Sequence, residues 1–298
     1  MIRLPTFKQL KYLTAVVEHA HFGRAATACN VSQSTLSAGI AELEHILGVS
    51  LLERDQKGVK LLPIGKEISQ RAQDILTSTK DLVDTASAAQ LPFTTELKLG
   101  VIPTIAPFIL PKMLNHVRTL FPDFKIYIRE AMSEPLVNEL QAGQLDILLL
   151  ALPYPAERVH SYHLYNDDFV LAVPKDHSLA EHKTASIQEL KNQELLLLED
   201  GHCIRDHALD ACFMKSEDLN IPYQATSLNT VTQMVANGMG VTILPQMAIE
   251  ANLIEGTKVT SIPFIEKDIY RSIGLMWRQN TPRIKEFRAL GDLVKDSI

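Results

Sequence analysis

Between about Pro63 and Gln90 the chain repeats by sevens, with Ile68, Ile75, Leu82 and Ala89 along one seam and Ala72, Thr79 and Ala86 beside it. A period of seven keeps an apolar stripe on one side of a long helix, so this segment reads as a coiled-coil rod rather than part of a globular core. No second long heptad segment is present to fold back on it, so the seam is expected to meet its own copy in another subunit through Ile68, Ile75 and Leu82. A solitary amphipathic helix docked on the rest of the chain is the plainer alternative. The rod divides the sequence into a head at 1–63, a linker and dimerisation helix at 64–90 and a body at 91–298, with Leu91-Pro92-Phe93-Thr94-Thr95 as the hinge.

Charge is distributed unevenly across these parts. Residues 1–66 hold eight Lys/Arg against five Asp/Glu, while 67–298 hold 21 against 30, so a formal charge of −6 conceals a head of +3 on a body of −9. A basic head on an acidic body suggests that the head alone touches a polyanion such as DNA. Three cysteines are too few for a secreted disulfide scaffold, and Met1-Ile2-Arg3-Leu4-Pro5-Thr6 lacks the pattern of an export signal. Apolar runs such as Ile147-Leu148-Leu149-Leu150-Ala151-Leu152 fall far short of the ~20 residues that cross a bilayer. A cytoplasmic protein without a membrane role is expected.

Periodicity in the head predicts three helices. Thr6 with Gln9 forms a capping box ahead of Phe7, Leu10, Leu13, Val17 and Ala20 at helical spacing. A short Ala-rich helix follows at about Arg24 to Cys29, and Asn30-Val31-Ser32 turns into a third helix with the stripe Leu36, Ile40, Leu43 and Leu47, stopped by Gly48. Two helices joined by so tight a turn match a helix-turn-helix, whose second helix lies in the major groove. Ser32, Gln33, Ser34, Thr35 and Ser37 offer short polar side chains to phosphates and base edges there. Leu51 to Pro63 reads as a two-stranded wing with Gly58 near its tip, presenting Arg54, Lys57 and Lys60 to a nucleic-acid backbone. An ordinary three-helix bundle with a polar face remains the bland alternative.

The body alternates strands and helices. Strands are expected at Leu97 to Ile102, Lys125 to Ile128 and Leu145 to Leu150, with helices at about Pro107 to Leu120 and Glu134 to Ala142, which together describe a βα repeat with a parallel sheet. A second set has strands near Phe169 to Val173, Leu195 to Leu198, Gln224 to Thr226 and Val241 to Leu244, and helices near Thr230 to Ala236 and Pro282 to Leu293. Two α/β lobes follow, the first at about 96–163 and 268–298 and the second at about 164–267, linked by strands that cross between them near residues 163 and 268, with a ligand cleft where they face each other.

Cys203 and Cys212 lie nine positions apart with neither Gly nor Pro between them. On one helix that spacing sets their backbones roughly 13 Å apart on opposite sides, whereas a disulfide needs Cα atoms within about 7 Å. Either the two thiols are unrelated, or joining them tears the segment from its fold and makes the bond a switch. A thiolate is the attacking form of cysteine, and His202 and Arg205 are local cations that could favour it at Cys203. A metal site from His202, Cys203, His207 and Cys212 is disfavoured, because Cys212 opposes the face shared by Cys203 and His207. Gly238-Met239-Gly240 lacks the third glycine of a dinucleotide loop, and Cys29 reads as a small apolar core residue. No cofactor is implied.

The head motifs Phe22-Gly23-Arg24-Ala25-Ala26, Val31-Ser32-Gln33-Ser34-Thr35-Leu36-Ser37, Leu51-Leu52-Glu53-Arg54 and Leu62-Pro63-Ile64-Gly65 resemble those of LysR-type transcriptional regulators, and the whole chain fits that family. Within it, Gly100-Val101-Ile102-Pro103-Thr104, the run Leu198 to Asp206, Cys212-Phe213 and the run Gly238 to Pro245 resemble the peroxide-sensing branch. The resemblance implies a winged helix-turn-helix, a coiled-coil linker and a two-lobe regulatory domain like the periplasmic binding proteins. It implies Cys203 as the peroxidatic thiol and Cys212 as its resolving partner, with Asp206 in the same motif. It also puts Arg271 near the reactive sulfur, and Thr104 and Ser133 as hydroxyls that orient peroxide. At position 133 the family usually has Thr, and Ser keeps the donor without the methyl that fixes its rotamer.

Promoter DNA, hydrogen peroxide, RNA polymerase, a homodimer or homotetramer and a glutaredoxin or thioredoxin reductant are the implied partners. Two other functions stay open: a LysR-type regulator answering a small organic effector in the cleft, and a thiol peroxidase. A DNA-reading head and a dimer helix equip the latter poorly, so a non-enzyme is expected.

Overall fold

The computed structural model describes residues 3–55, 58–88, 93–191, 193–212 and 223–297. It divides into two compact units, Met1–Ala89 and Gln90–Ile298. The expected hinge residues Leu91 and Pro92 lie outside the described residues.

In the first unit, α1 (Phe7–His19) starts from the expected capping box, in which Gln9 N donates to Thr6 Oγ1 and Thr6 N donates to Gln9 Oε1. Helix α2 (Phe22–Ala28) begins two residues earlier than its apolar pattern indicates, because His21 Nδ1 accepts from the backbone of Gly23 and Arg24 and serves as the cap. Ser32 caps α3 (Gln33–Leu47) through Thr35 N. Leu10, Leu13, Val16, Ala25, Leu36, Ile40 and Leu43 form the core between the three helices.

The wing is a hairpin of β1 (Leu52–Asp55) and β2 (Gly58–Leu61), paired from Leu52 with Leu61 to Asp55 with Gly58. Its root is fixed by Glu44 of α3, whose Oε1 accepts from Leu51 N at 2.7 Å and Leu52 N at 3.2 Å. The long helix α4 (Pro63–Ala88) enters directly from β2. Gly65 in its first turn has no room for a side chain, since a Cβ would collide with the Leu51 carbonyl oxygen. The lower part of α4 packs on the head: Ala72 is buried in that core, with Ile68 and Leu76 half-buried against it. Beyond them Ile75, Leu82 and Val83 are exposed. The heptad seam therefore splits, with Ile68 used inside the head and Ile75 and Leu82 left open.

The second unit begins with β3 (Leu97–Val101), α5 (Ala106–Leu120), β4 (Ile126–Glu130), α6 (Ser133–Gln141) and β5 (Ile147–Leu152). Strands β3, β4 and β5 are parallel, as the βα repeat requires. The 16-residue β6 (Val159–Pro174) then leads through a 3₁₀ turn at Ser178–Glu181 to α7 (Ile187–Leu190), β7 (Leu195–Leu198), α8 (Cys203–Ala211), β8 (Gln224–Ala225) and α9 (Leu228–Ala236). After β9 (Val241–Pro245), α10 (Gln246–Glu250) and β10 (Val259–Pro263), the chain returns along β11 (Tyr270–Arg278) and ends in α11 (Ile284–Asp296).

The sheet is mixed rather than wholly parallel. Residues 159–168 of β6 pair antiparallel with β11, and residues 169–174 pair antiparallel with β9 and β10. A chain that crosses between two lobes and comes back must run in opposite directions on its two passes, which makes β6 and β11 antiparallel neighbours. Two cores flank the crossing. One gathers around β3, β5, α5 and α11, and the other around β7, β9, α8 and α9. The crossing strands expected near residues 163 and 268 are β6 and β11, whereas β10 was absent from the pattern-based assignment.

Glu44→Ala removes the shared acceptor of two backbone N–H groups at the wing root. It is expected to lower the stability of the head by about 1–3 kcal/mol, read as a shift of its urea unfolding midpoint.

Candidate functional site

Helix α8 carries a cysteine at each end, Cys203 as its first residue and Cys212 as its C-cap. Both are free, buried thiols, but they belong to different cores: Cys203 packs with the β3, β5 and α5 core, and Cys212 with that of β7, β9 and α9. The regular helix between them keeps their backbones roughly 13 Å apart, beyond the reach of a disulfide.

The start of α8 is positioned by Gly201. Its φ of +97° falls where side chains are disfavoured, and a Cβ would stand 3.1 Å from Met132 Sδ. This close approach sets the beginning of α8 against the beginning of α6, bringing Ser133 to Cys203. The Ser133 hydroxyl is buried and makes no hydrogen bond of good geometry among the described residues, yet it lies near enough to the sulfur to favour its anion.

Burial pushes the Cys203 thiol above its ordinary range. The Ser133 hydroxyl, the Arg271 charge and a backbone hydrogen bond with Ala151 pull it back down, while Asp206 reinforces the rise. On balance the surroundings disfavour the anion of this sulfur. Burial pushes the His202 imidazole below its ordinary range, against an opposing pull from Glu199, so the ring is neutral. Arg205 is directed to Asp200, with Nη1 and Oδ1 2.7 Å apart. Asp206, exposed on the first turn of α8, acts against ionisation. Cys212 is also disfavoured as an anion, pushed up to about 12 by burial and then by Glu266.

Arg271 organises the region. It stands opposite Asp167 across β11 and β6, and its Nε donates to Asp167 Oδ2 at 2.9 Å with both side chains almost wholly buried. Nη1 donates to Thr104 Oγ1 and Nη2 to the Thr104 carbonyl, each at 3.0 Å, and Nη2 also reaches Met247 Sδ at 3.5 Å. The other oxygen of Asp167 accepts from Met247 N at 2.9 Å. One guanidinium thus binds the turn before α5, the first turn of α10 and both crossing strands. Because the Thr104 oxygen accepts from a cation, its proton stays available for another acceptor.

Two residues outside the expected set enter the same environment. His207, one turn beyond Cys203, is affected by the charge of Arg271 and faces the Pro153 backbone. Tyr154 is pushed up by burial, then by Glu134 and Cys203. The signal for His207 was its four-residue spacing from Cys203. Tyr154 had no such signal, since only the fold brings it there.

Two family models match the chain: the bacterial regulatory helix-turn-helix protein of the lysR family over residues 7–66, and the LysR substrate binding domain over residues 92–298. The chain belongs to the LysR family. Among LysR relatives, the HTH-type transcriptional regulator EstR of Acinetobacter baylyi is 38% identical over 99% of this chain and 98% of its own. The DNA-binding transcriptional dual regulator OxyR of Escherichia coli is 36% identical over 97% and 94%. A full-length OxyR variant from Pseudomonas aeruginosa superimposes with a TM-score of 0.79 at 32% identity, covering 98% of each chain. A hydrogen peroxide-bound OxyR mutant of Corynebacterium glutamicum has a TM-score of 0.68 at 32% identity, covering 100% of this chain and 94% of that one.

In the LysR head, Gln33, Ser34 and Thr35 are exposed at the start of α3, and Ser37 is half-buried. Ser32 is engaged in capping, with its Oγ also 2.9 Å from Ser34 Oγ and 2.8 Å from Thr35 Oγ1. Lys60 is exposed on β2 and Arg54 lies on β1, while Lys57 falls outside the described residues. Among the described residues no helix is long and apolar enough to cross a membrane, and no cluster of His, Cys, Asp and Glu could hold a metal ion.

Arg271→Met strands Asp167 in a dry interior. It is expected to destabilise the body by about 3–5 kcal/mol, and the double variant Arg271→Met, Asp167→Leu is expected to recover much of that in denaturant titrations.

Proposed function

We propose that this LysR-family protein is a DNA-binding transcriptional regulator, an activator of oxidative-stress genes, switched by hydrogen peroxide at Cys203. The observation that carries this reading is the placement of two free cysteines at the ends of one helix, in two different cores, with the first beside Ser133 and within the field of Arg271. The OxyR relatives and the peroxide-bound OxyR structure support the choice of signal.

Peroxide enters beside Cys203. As the thiol gives up its proton, the sulfur attacks one peroxide oxygen, the O–O bond breaks, and the departing hydroxide takes a proton to leave as water. Thr104 and Ser133 hold the peroxide, and one of their hydroxyls relays the thiol's proton to the departing oxygen. Cys203 becomes a sulfenic acid, which condenses with the Cys212 thiol, releasing a second water and forming the disulfide. Closing the gap from roughly 13 Å to bonding range requires α8 to unwind. Cys203 leaves one core, Cys212 leaves the other, and the lobes repack.

The head reads promoter DNA through the start of α3 and the wing, with Gln33, Ser34, Thr35 and Ser37 at base edges and phosphates and Arg54, Lys57 and Lys60 on the backbone. Ile75 and Leu82, open on α4, join two copies, and further association of the bodies gives a tetramer. Repacking of the body alters the spacing of the heads and their contact with RNA polymerase. Cytoplasmic dithiols of the glutaredoxin or thioredoxin kind reverse the bond.

Mass spectrometry after one equivalent of hydrogen peroxide tests the chemistry. A cross-link between the Cys203 and Cys212 peptides, with loss of two hydrogens, is the expected result. Unchanged thiols would instead favour an organic effector in the cleft. Cys203→Ser is expected to abolish peroxide-dependent transcription while leaving promoter binding measurable in a gel-shift assay, and normal induction by this variant would place the sensor elsewhere.

A further inference from the structure

The body holds the first stretch of its own chain with a buried ionic cluster that the peroxide chemistry does not use. Phe93 is the first described residue after Ala88, the end of α4. It is buried with a φ of +62°, a left-handed conformation disfavoured for a bulky side chain and therefore imposed by its surroundings. We infer that the cluster around Glu286 of α11 is a clamp through which a repacking of the body reaches the α4 linker. This rests on the proposed switch at Cys203 and names the route by which its signal leaves the body.

The clamp has a polar side and an aromatic side. Phe93 N donates to Glu286 Oε1 at 3.0 Å. The other oxygen of Glu286 accepts from Arg283 Nε at 2.6 Å, with both side chains buried. Arg283 Nη1 donates to the Glu96 carbonyl at 3.1 Å and reaches Asp146 Oδ2 at 3.5 Å, and that same carboxylate oxygen accepts from Lys98 N at 2.9 Å. The backbone at Phe93, Glu96 and Lys98 is thus held by one guanidinium and two carboxylates. On the aromatic side the Phe93 ring packs on Phe121 and Phe124, with centroids 4.5 and 5.1 Å apart. Loss of one member of a buried charge cluster strands the others in a dry interior, so the entering chain and the start of α11 move together.

Helix α11 is keyed in turn to both crossing strands. A Cβ at Gly291 would stand 2.9 Å from Tyr162 Cε1 of β6 and 3.1 Å from Leu275 Cδ1 of β11, so the helix backbone lies directly on the two strands. Phe287 packs on Trp277 of β11 with ring centroids 5.7 Å apart, and the Tyr162 hydroxyl donates to Asp292 Oδ1 at 3.2 Å. The same two strands carry Asp167 and Arg271. A close-packed interior has no slack to absorb a shift of one element, so displacement of β6 or β11 is passed to α11. The contiguous route runs from these strands through α11 and Glu286 to Phe93, and so to the chain that continues from α4.

Hydrogen exchange read by mass spectrometry tests the route in the full-length protein, reduced and after one equivalent of hydrogen peroxide. Two variants open the clamp from opposite sides. Glu286→Leu removes the acceptor of Phe93 N. Phe93→Gly removes the ring and relieves the left-handed backbone; it leaves the ion pairs intact, so it keeps the test open where Glu286→Leu does not fold. In wild type, oxidation is expected to join Cys203 to Cys212, loosen α8 and change exchange across α4 by about fivefold, the low end of ordinary coupling between two sites. In both variants the cross-link and the loosening of α8 are expected to persist while α4 no longer responds. Each variant is compared with its own reduced form, so a general loss of stability does not imitate this result. An α4 response of wild-type size in either variant, or wild-type oxidation that loosens α8 and leaves α4 unchanged, would overturn the clamp while leaving Cys203 as the sensor. Absence of the cross-link in wild type would overturn the sensing role, and the clamp with it.

Discussion

The buried ion pair of Arg271 and Asp167 is the constraint on which the rest of the body depends. A guanidinium and a carboxylate removed from water are tolerated only when their hydrogen-bonding capacity is met, and here that requirement fixes four pieces of chain at once: β6, β11, the Thr104 turn and the start of α10. They come from both lobes, so the pair defines the crossing as much as the backbone ladder does. The guanidinium also casts a positive field on Cys203 and His207. The structural joint and the reactive environment are thus one feature. A shift of the lobes alters the field at the sulfur, and a change of charge at the sulfur is felt at the joint.

Burial and charge oppose one another at Cys203, and burial wins. A permanently ionised, accessible thiolate would react with many electrophiles. A buried neutral thiol surrounded by a hydroxyl, a backbone donor and a distant cation is quiet until a small reactant supplies what the site lacks. Hydrogen peroxide is small enough to enter a dry region, and both of its oxygens accept and donate hydrogen bonds. In the proposed reaction, selectivity comes from the transition state, in which the donors around the sulfur meet developing negative charge, rather than from the ground state of the thiol.

Much of this was legible in the sequence wherever a local rule applies. The Thr6 and Gln9 box, the Ser32 cap and the apolar stripe of α3 each act within one turn, and they give the head its helices. The helical stretch between Cys203 and Cys212 was legible for the same reason. What escaped depends on pairing across long separations. Asp167 and Arg271 lie 104 residues apart and meet only because β6 and β11 are neighbours. His21 as a cap follows no common pattern. Sequence shows that His202 and Arg205 are adjacent to Cys203, but not that burial opposes ionisation there or that Arg205 is turned to Asp200. The heptads predicted a continuous seam, whereas Ile68 and Ala72 answer first to the head core.

The division of α8 between two cores bears on reversibility as well as on signalling. A disulfide between Cys203 and Cys212 forms at the expense of helical hydrogen bonds and of two buried contacts, so the oxidised state carries a conformational penalty that an unconstrained disulfide lacks. For a two-electron couple, each 1.4 kcal/mol of such penalty raises the reduction potential by about 30 mV. A bond formed within a rigid, preassembled site would resist the dithiols of a reducing compartment. One that displaces a packed helix is held nearer their potential and is reduced once peroxide is gone. In the proposed switch, the same packing that keeps the sulfurs apart would also ease the return from the disulfide to the two thiols.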